Sequence, residues 1–228
     1  MKTVELAREL AQTMVDIGRL AGVHTVAAIT SMEQPLGHAI GNALEMKEAI
    51  AFLQGNGPQD VTDLCFHEAA ELLVMTGTAA SIAEAERYVE RAVKSGAAVA
   101  KLAEVIEAQG GDPQQIEHPD RLPSAPVQTM LHAPRTGYIA GIQSEHIGLV
   151  SMHLGAGRFK KGDAIDHRTG LVLQAKIGNH LDAGEPLVEI HARNEDEVKS
   201  VQDALLACYT WSDAPMLAGP LVYDTIRR

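Results

Sequence analysis

The feature that most restricts the fold is a change of hydrophobic period near residue 112. From 41 to 109, apolar residues recur at three- and four-residue steps in the stretches 41–54, 59–76, 81–95 and 97–109, as on amphipathic helices. Gly55, Gly77, Gly96 and Gly110-Gly111 stand where such helices stop, and Ser81-Ile-Ala-Glu84 is a capping box at one of the starts. The connector DPQQIEHPDRLP (112–123), with three prolines, breaks the pattern. Beyond it VQTMLHAP, TGYIAGI, GLVLQAKIGNHL and PLVEIHA have the shorter period of strands. Asn194-Glu-Asp-Glu197, a second capping box, opens a final helix expected to reach about Tyr209.

Ahead of this region, residues 4–21 place Ala7, Leu10, Ala11, Met14, Val15 and Gly18 on one expected helix face. After Gly22, HTVAAIT (24–30) is a short apolar run that reads as a strand buried on both faces. A helix followed by a buried strand is the second half of a βαβ unit. The expectation is therefore an α/β fold: a partial, mostly parallel sheet with flanking helices over residues 1–120, then an α+β barrel-sandwich-like domain over 121–228. An open strand edge is expected where the first strand of the unit would pair.

Charge and cysteine content narrow the function classes. The net charge is −11 and no basic stripe interrupts it, which disfavours nucleic acid and anionic membrane surfaces as partners. No apolar run reaches spanning length and MKTVELAREL is no signal peptide, so a cytoplasmic location is expected. Cys65 and Cys208 lie far apart in apolar helical patterns, as buried free thiols do.

Several motifs invite chemistry. His67-Glu68-Ala-Ala-Glu71 is half of a zinc-protease helix without its second histidine, so a polar helix face is the better reading. LGAGRFKKGD (154–163) sets two glycines before Arg158, Lys160 and Lys161 and could cradle a phosphate, although a mobile glycine turn explains it more simply. The run from Lys176-Ile-Gly-Asn179 through Gly184-Glu-Pro-Leu187 to His191-Ala192 resembles a biotinyl or lipoyl carrier half-barrel. The carrier lysine's place is taken by Asn194, which cannot form the amide link, so the carrier function fails.

The stretch SMEQPLGHAIGNALEMKEAI (31–50) is the most informative. Pro35 and Gly37 resist helix, so nearby carbonyls have no automatic amide partner one turn on. Leu36 and Ala39 are spaced for one tight turn to aim both carbonyls inward, and Glu48 on the following helix could fold back to add a carboxylate. Oxygen donors of this kind suit a hard cation such as K⁺ or Ca²⁺. On spacing alone a solvated Glu48 is the ordinary reading.

QPLGHAIGNALEMKEAI, together with PQDVTDLCFHEAAELL, EAQGGDP, LGAGRFKKGDAIDHRTGLVL and GEPLVEIHA, resembles the pyrimidine-nucleoside phosphorylases and thymidine phosphorylases, in the same order from residue 1 to about 226. The resemblance implies reversible phosphorolysis: a pyrimidine nucleoside plus phosphate gives the base and a (deoxy)ribose 1-phosphate, in nucleoside salvage. It also implies a K⁺ site in which Leu36 and Ala39 give carbonyls and Glu48 the carboxylate. Members of the family are roughly twice this length. Their Lys-His-Ser-Thr-Gly-Gly phosphate loop, and the Arg, Ser and Lys that hold the pyrimidine, are not found in this sequence, and Met1 aligns with the methionine closing a Gly-x-Phe-Met segment. The chain is therefore expected to be a C-terminal half with no catalytic residues of its own, inactive alone. An N-terminal half or a homodimer would be its partner, and the K⁺ half-site would bind weakly or not at all. The competing expectation is a non-catalytic binding module derived from the same family.

Overall fold

The computed structural model describes residue 1 and residues 3–227. In chain order the first elements are α1 (Val4–Leu20), β1 (Ala27–Thr30), β2 (Ala39–Ile40), α2 (Asn42–Leu53), α3 (Gln59–Met75), α4 (Ile82–Lys94), α5 (Ala97–Ala108) and α6 (Gln114–Glu117). There follow β3 (Val127–His132), β4 (Gly137–Ile142), α7 (Ser144–Ser151), β5 (Gly170–Leu173), β6 (His180–Leu181), β7 (Pro186–Ala192), α8 (Glu195–Ala207), β8 (Tyr209–Ser212) and β9 (Val222–Ile226). The helix boundaries fall where glycines and caps put them. Ser81 accepts from the Glu84 amide at 3.3 Å while Glu84 reaches back to the Ala80 amide at 2.9 Å. Asn194 accepts from the Glu197 amide at 2.9 Å.

These elements form two compact units that interleave along the chain: 1–31, 59–97 and 219–228 make the first, 32–58 and 98–218 the second. In the first, β1 and β9 form a two-stranded antiparallel ribbon, and α1 packs on both strands. Side chains reinforce the return of β9. Arg8 pairs with Asp224, His67 Nε2 lies 3.1 Å from Thr225 Oγ1, and Arg227 forks onto both oxygens of the buried Glu71, Nε–Oε2 being 2.9 Å. A planar guanidinium matches a carboxylate in this way. The polar side of α3 that the His67–Glu71 motif marked is thus used to seat the C-terminal strand.

The second unit holds a four-stranded sheet in the order β2-β5-β7-β3 and a three-stranded sheet in the order β6-β4-β8. Both contribute to one aliphatic core: Leu171, Leu173, Leu187, Val188 and Ile190 from the first, Ile139 and Ile142 from the second, closed by Ile147 and Val150 of α7 and Val198, Val201 and Leu205 of α8. Burial of so many branched side chains is the main stabilising contribution. Gly41 and Gly170 let β2 and β5 approach: a Cβ on Gly170 (φ 154°) would lie 2.2 Å from the Ile40 carbonyl oxygen, and one on Gly41 (φ 134°) 2.5 Å from that of Thr169.

Three expectations need correction. Every strand pairing among the described residues is antiparallel, whereas a mostly parallel sheet was expected. A parallel neighbour arrives only through a crossover, but the residues after β1 turn into the second unit and β9 reaches β1 from the opposite direction. No closed barrel forms among the described residues, because β2 and β3 remain edges of their sheet and neither pairs with the three-stranded one. On α1, Ala11 and Val15 are buried as expected, but Leu10 and Met14 face solvent. α7, β8 and β9 have no counterpart in the sequence reading.

The glycine approach gives a test. Gly170→Ala should lower unfolding free energy by about 2–4 kcal/mol in urea titrations, combining backbone strain with overlap. Gly77→Ala, where nothing lies within 4 Å, should cost only about 1 kcal/mol for its positive φ.

Candidate functional site

The 34–48 segment lies wholly within the second compact unit. Gly37 takes a positive φ of 67°, which breaks the chain between β1 and β2 as the sequence implied. The turn at 176–179 holds the loop in place. Ile177 N donates to Gln34 Oε1 at 2.9 Å, and the Lys176 ammonium donates to the carbonyl of Pro35 and, at 2.6 Å, to that of Gly37. Asn179 Oδ1 in turn accepts from Lys176 N at 2.7 Å, fixing the turn that carries the lysine. Lys176 is itself buried, and a buried ammonium is tolerated only where oxygens surround it.

From the other side α2 supplies two carboxylates. Glu48 Oε2 accepts from the amides of His38 at 2.8 Å and Ala39 at 3.1 Å, and Glu45 Oε1 accepts from Gly41 N at 2.8 Å. Glu48 therefore does fold back onto the loop; it is half-buried and engaged rather than solvated. Charge-assisted bonds to backbone amides are the strong kind. The His38 ring adds a third tie, its Nδ1 lying 2.7 Å from the Leu173 carbonyl oxygen.

The strand register ties the end of the loop to β5. Ala39 sits opposite Val172, and Leu173 N donates to His38 O at 2.8 Å. His38 and Leu173 thus share a single backbone bond of the ladder, because the His38 N–H, like that of Ala39, goes to Glu48. The Leu36 carbonyl lies between the two that Lys176 claims and is not part of that clamp.

The donor set of Leu36 O, Ala39 O and Glu48 fits a hard monovalent cation in kind. It does not complete a shell, since hard cations of this size take about six to eight oxygens. Among the described residues no three His, Cys, Asp or Glu side chains cluster as a metal site, so carbonyl oxygens would have to carry the coordination. Sequence reasoning missed Lys176, although the Lys176-Ile-Gly-Asn179 motif contained it. Nothing local to that motif signals a partner 139 residues away.

The remaining candidates have been absorbed by structure. Asn194 caps α8. In the glycine loop, Arg158 Nε donates to the Asp163 carbonyl at 3.1 Å and the Lys160 amide to Asp163 Oδ2 at 3.0 Å, so the loop binds itself. Arg168 forks onto Asp166 at 2.8 and 2.7 Å, and this guanidinium holds the Asp166 carboxyl down at about 2. Both cysteines are free, and burial pushes their thiols up. A cleft of about 430 Å³ between α7 and α8 is lined by His146, His153, Ser200 and Cys208 among aliphatic side chains.

Comparison with known proteins gives two family matches and a set of relatives. Residues 1–99 match the glycosyl transferase family a/b domain, and residues 138–212 match the pyrimidine nucleoside phosphorylase C-terminal domain. A pyrimidine-nucleoside phosphorylase of Staphylococcus aureus (strain USA300) is 45% identical over 196 residues, which is 86% of this chain and 45% of that protein. One from Staphylococcus epidermidis is 41% identical over 226 residues, 98% of this chain and 52% of that protein. The chain spans about half the length of the curated relatives it matches.

Two outcomes follow from this geometry. Lys176→Met should strip a charged donor from two carbonyls, destabilising the protein by about 1–3 kcal/mol and speeding amide exchange at His38 and Ala39 measured by NMR. For Asp166 the folded pKa lies below the unfolded value of about 3.9, so its contribution to stability is present above that pH and is lost as pH falls toward 2. Asp166→Asn should remove that component from an acid-unfolding curve and leave the neutral-pH slope unchanged.

Proposed function

The chain belongs to the pyrimidine-nucleoside phosphorylase family, and on that premise we propose that residues 1–228 form the C-terminal part of such an enzyme, a pentosyltransferase acting on a pyrimidine nucleoside and phosphate. The observation that carries this reading is identity of 41% sustained over 226 residues, through both family regions. Phosphorolysis requires phosphate held in line with the anomeric carbon and stabilisation of charge on the departing base. The groups present here do neither. Arg158 is engaged by the Asp163 backbone carbonyl, Arg168 by the Asp166 carboxylate, and the α2 carboxylates of Glu45 and Glu48 by backbone amides.

In this proposal the chain contributes scaffold and half of an ion seat. Leu36 O, Ala39 O and Glu48 would hold K⁺ from one side, with Lys176 setting the loop from beneath. K⁺ would supply charge that ties the loop to the rest of the enzyme. The parallel sheet expected from HTVAAIT belongs to the same proposal: β1 would gain parallel neighbours from residues outside 1–228. So does the division near residue 120, supported by family matches that end at 99 and resume at 138. A cytoplasmic setting suits nucleoside salvage, and among the described residues no helix is long and apolar enough to cross a membrane.

Purified 1–228 should turn over neither uridine nor thymidine with phosphate above the blank, followed by release of free base. A rate well above the blank would overturn the assignment of the catalytic groups to another part of the protein. Crystals soaked in Rb⁺ or Tl⁺ should show weak anomalous density or none among Leu36, Ala39 and Glu48. A strong peak there would show that the half-site is sufficient.

A further inference from the structure

Helix α1 is apolar over far more of its surface than the first compact unit covers. At about 100° per residue, the side chains from Leu20 round to Val15 occupy roughly 220° of its circumference, and every charged residue is confined to the remaining arc. Ala11 and Val15 are buried, with Val4, Ala7 and Gly18 half-buried beside them. Alongside them run Leu6, Leu10, Met14, Ile17 and Leu20, all exposed, Ile17 to 60% and Leu20 to 81%. The one hydroxyl in that stripe, on Thr13, donates back to the Glu9 carbonyl at 2.9 Å, so its proton is already taken within the helix. Scattered exposed aliphatics need no explanation, but a contiguous stripe of five marks an interaction surface.

Two further observations say what covers it. Residues 1–99 match a glycosyl transferase family a/b domain, and the chain spans about half the length of its relatives, so those proteins carry about as much polypeptide again. Beside α1 in the same unit, β1 has only β9 as neighbour among the described residues, and its other edge is open. A helix apolar on two sides next to a sheet edge with one side unpaired is built to be sandwiched, with a layer on each side.

We propose that the stripe Leu6, Leu10, Met14, Ile17 and Leu20 is the docking surface for the other half of the phosphorylase fold, the polypeptide that the relatives possess and residues 1–228 do not match. This rests on the family reading above and names the surface by which completion occurs. The partner presents an aliphatic layer to α1. A second copy of this chain is the competing occupant.

The test uses residues 1–228 and, as a separate polypeptide, the portion of the Staphylococcus epidermidis enzyme lying outside the matched region. Wild-type protein should bind it with protection of α1 amides in hydrogen exchange. The double variant Leu10→Glu, Met14→Glu should bind at least tenfold more weakly, while Phe159→Glu, an exposed apolar position in the second unit, binds as wild type. Circular dichroism confirms that each variant folds; both altered α1 side chains are already solvent-facing, and if that pair does unfold, Ile17→Glu alone is read in its place. Absence of binding by the wild type, equal binding by the α1 variant, or a homodimer that protects α1 overturns the proposal. Uridine phosphorolysis by the mixture is read separately. A complex that forms through α1 without turnover upholds the surface and sinks the functional reading, and turnover that the α1 variant retains does the reverse.

Discussion

A backbone that leaves a strand without entering a helix must find partners for its polar groups, and the whole second unit is organised around how residues 34–41 do so. The amides of His38, Ala39 and Gly41 go to carboxylates of α2, and the carbonyls of Pro35 and Gly37 go to an ammonium that arrives from the turn after β5. Anion and cation thus both close on the same short loop, one taking its amides and the other its carbonyls. Neither is placed by local sequence alone: α2 is carried into position by the glycine approach of β2 to β5, and Lys176 by the sheet that β5 and β7 complete. Loss of the accepting carboxylates or of the donating ammonium would leave buried groups unpaired, which costs more than the bond itself contributes.

The same logic runs through the first unit at its C-terminal end. β9 is the last strand in the chain, yet it pairs with the first, and the pairing is fixed by Arg227 on Glu71 and Arg8 on Asp224 as well as by the ladder. Glu71 is 4% exposed and would be costly to bury unpaired. A helix that sequence reading linked to a protease motif is instead a seat for the chain terminus. Closing such a long-range contact costs loop entropy, which the bidentate geometry and the strand ladder offset together.

Legibility followed the range of the determining forces. Helices 41–54, 59–76, 81–95 and 97–109 were readable to within a residue or two because caps, glycine stops and apolar period act within one turn. The strands of VQTMLHAP and PLVEIHA were readable for the same reason. α7 was not, because it lies in a short run between strands and is stabilised by burial of Ile147 and Val150 in a core assembled from distant segments. Leu10 and Met14 share the apolar period yet face solvent, because period reports which positions are apolar, and on α1 the apolar arc is wider than the covered one.

The sequence by itself determined the order of the long helices, the family, and the existence of an irregular oxygen-rich loop followed by an acidic helix, because each of these is written in residues close together along the chain. Only the tertiary structure decided that all observed strand pairings run antiparallel, that Glu48 is engaged by backbone amides, and that Lys176 is the loop's partner. The reason is physical. Which donor meets which acceptor across more than a hundred residues depends on how sheets stack, and no local propensity carries that information.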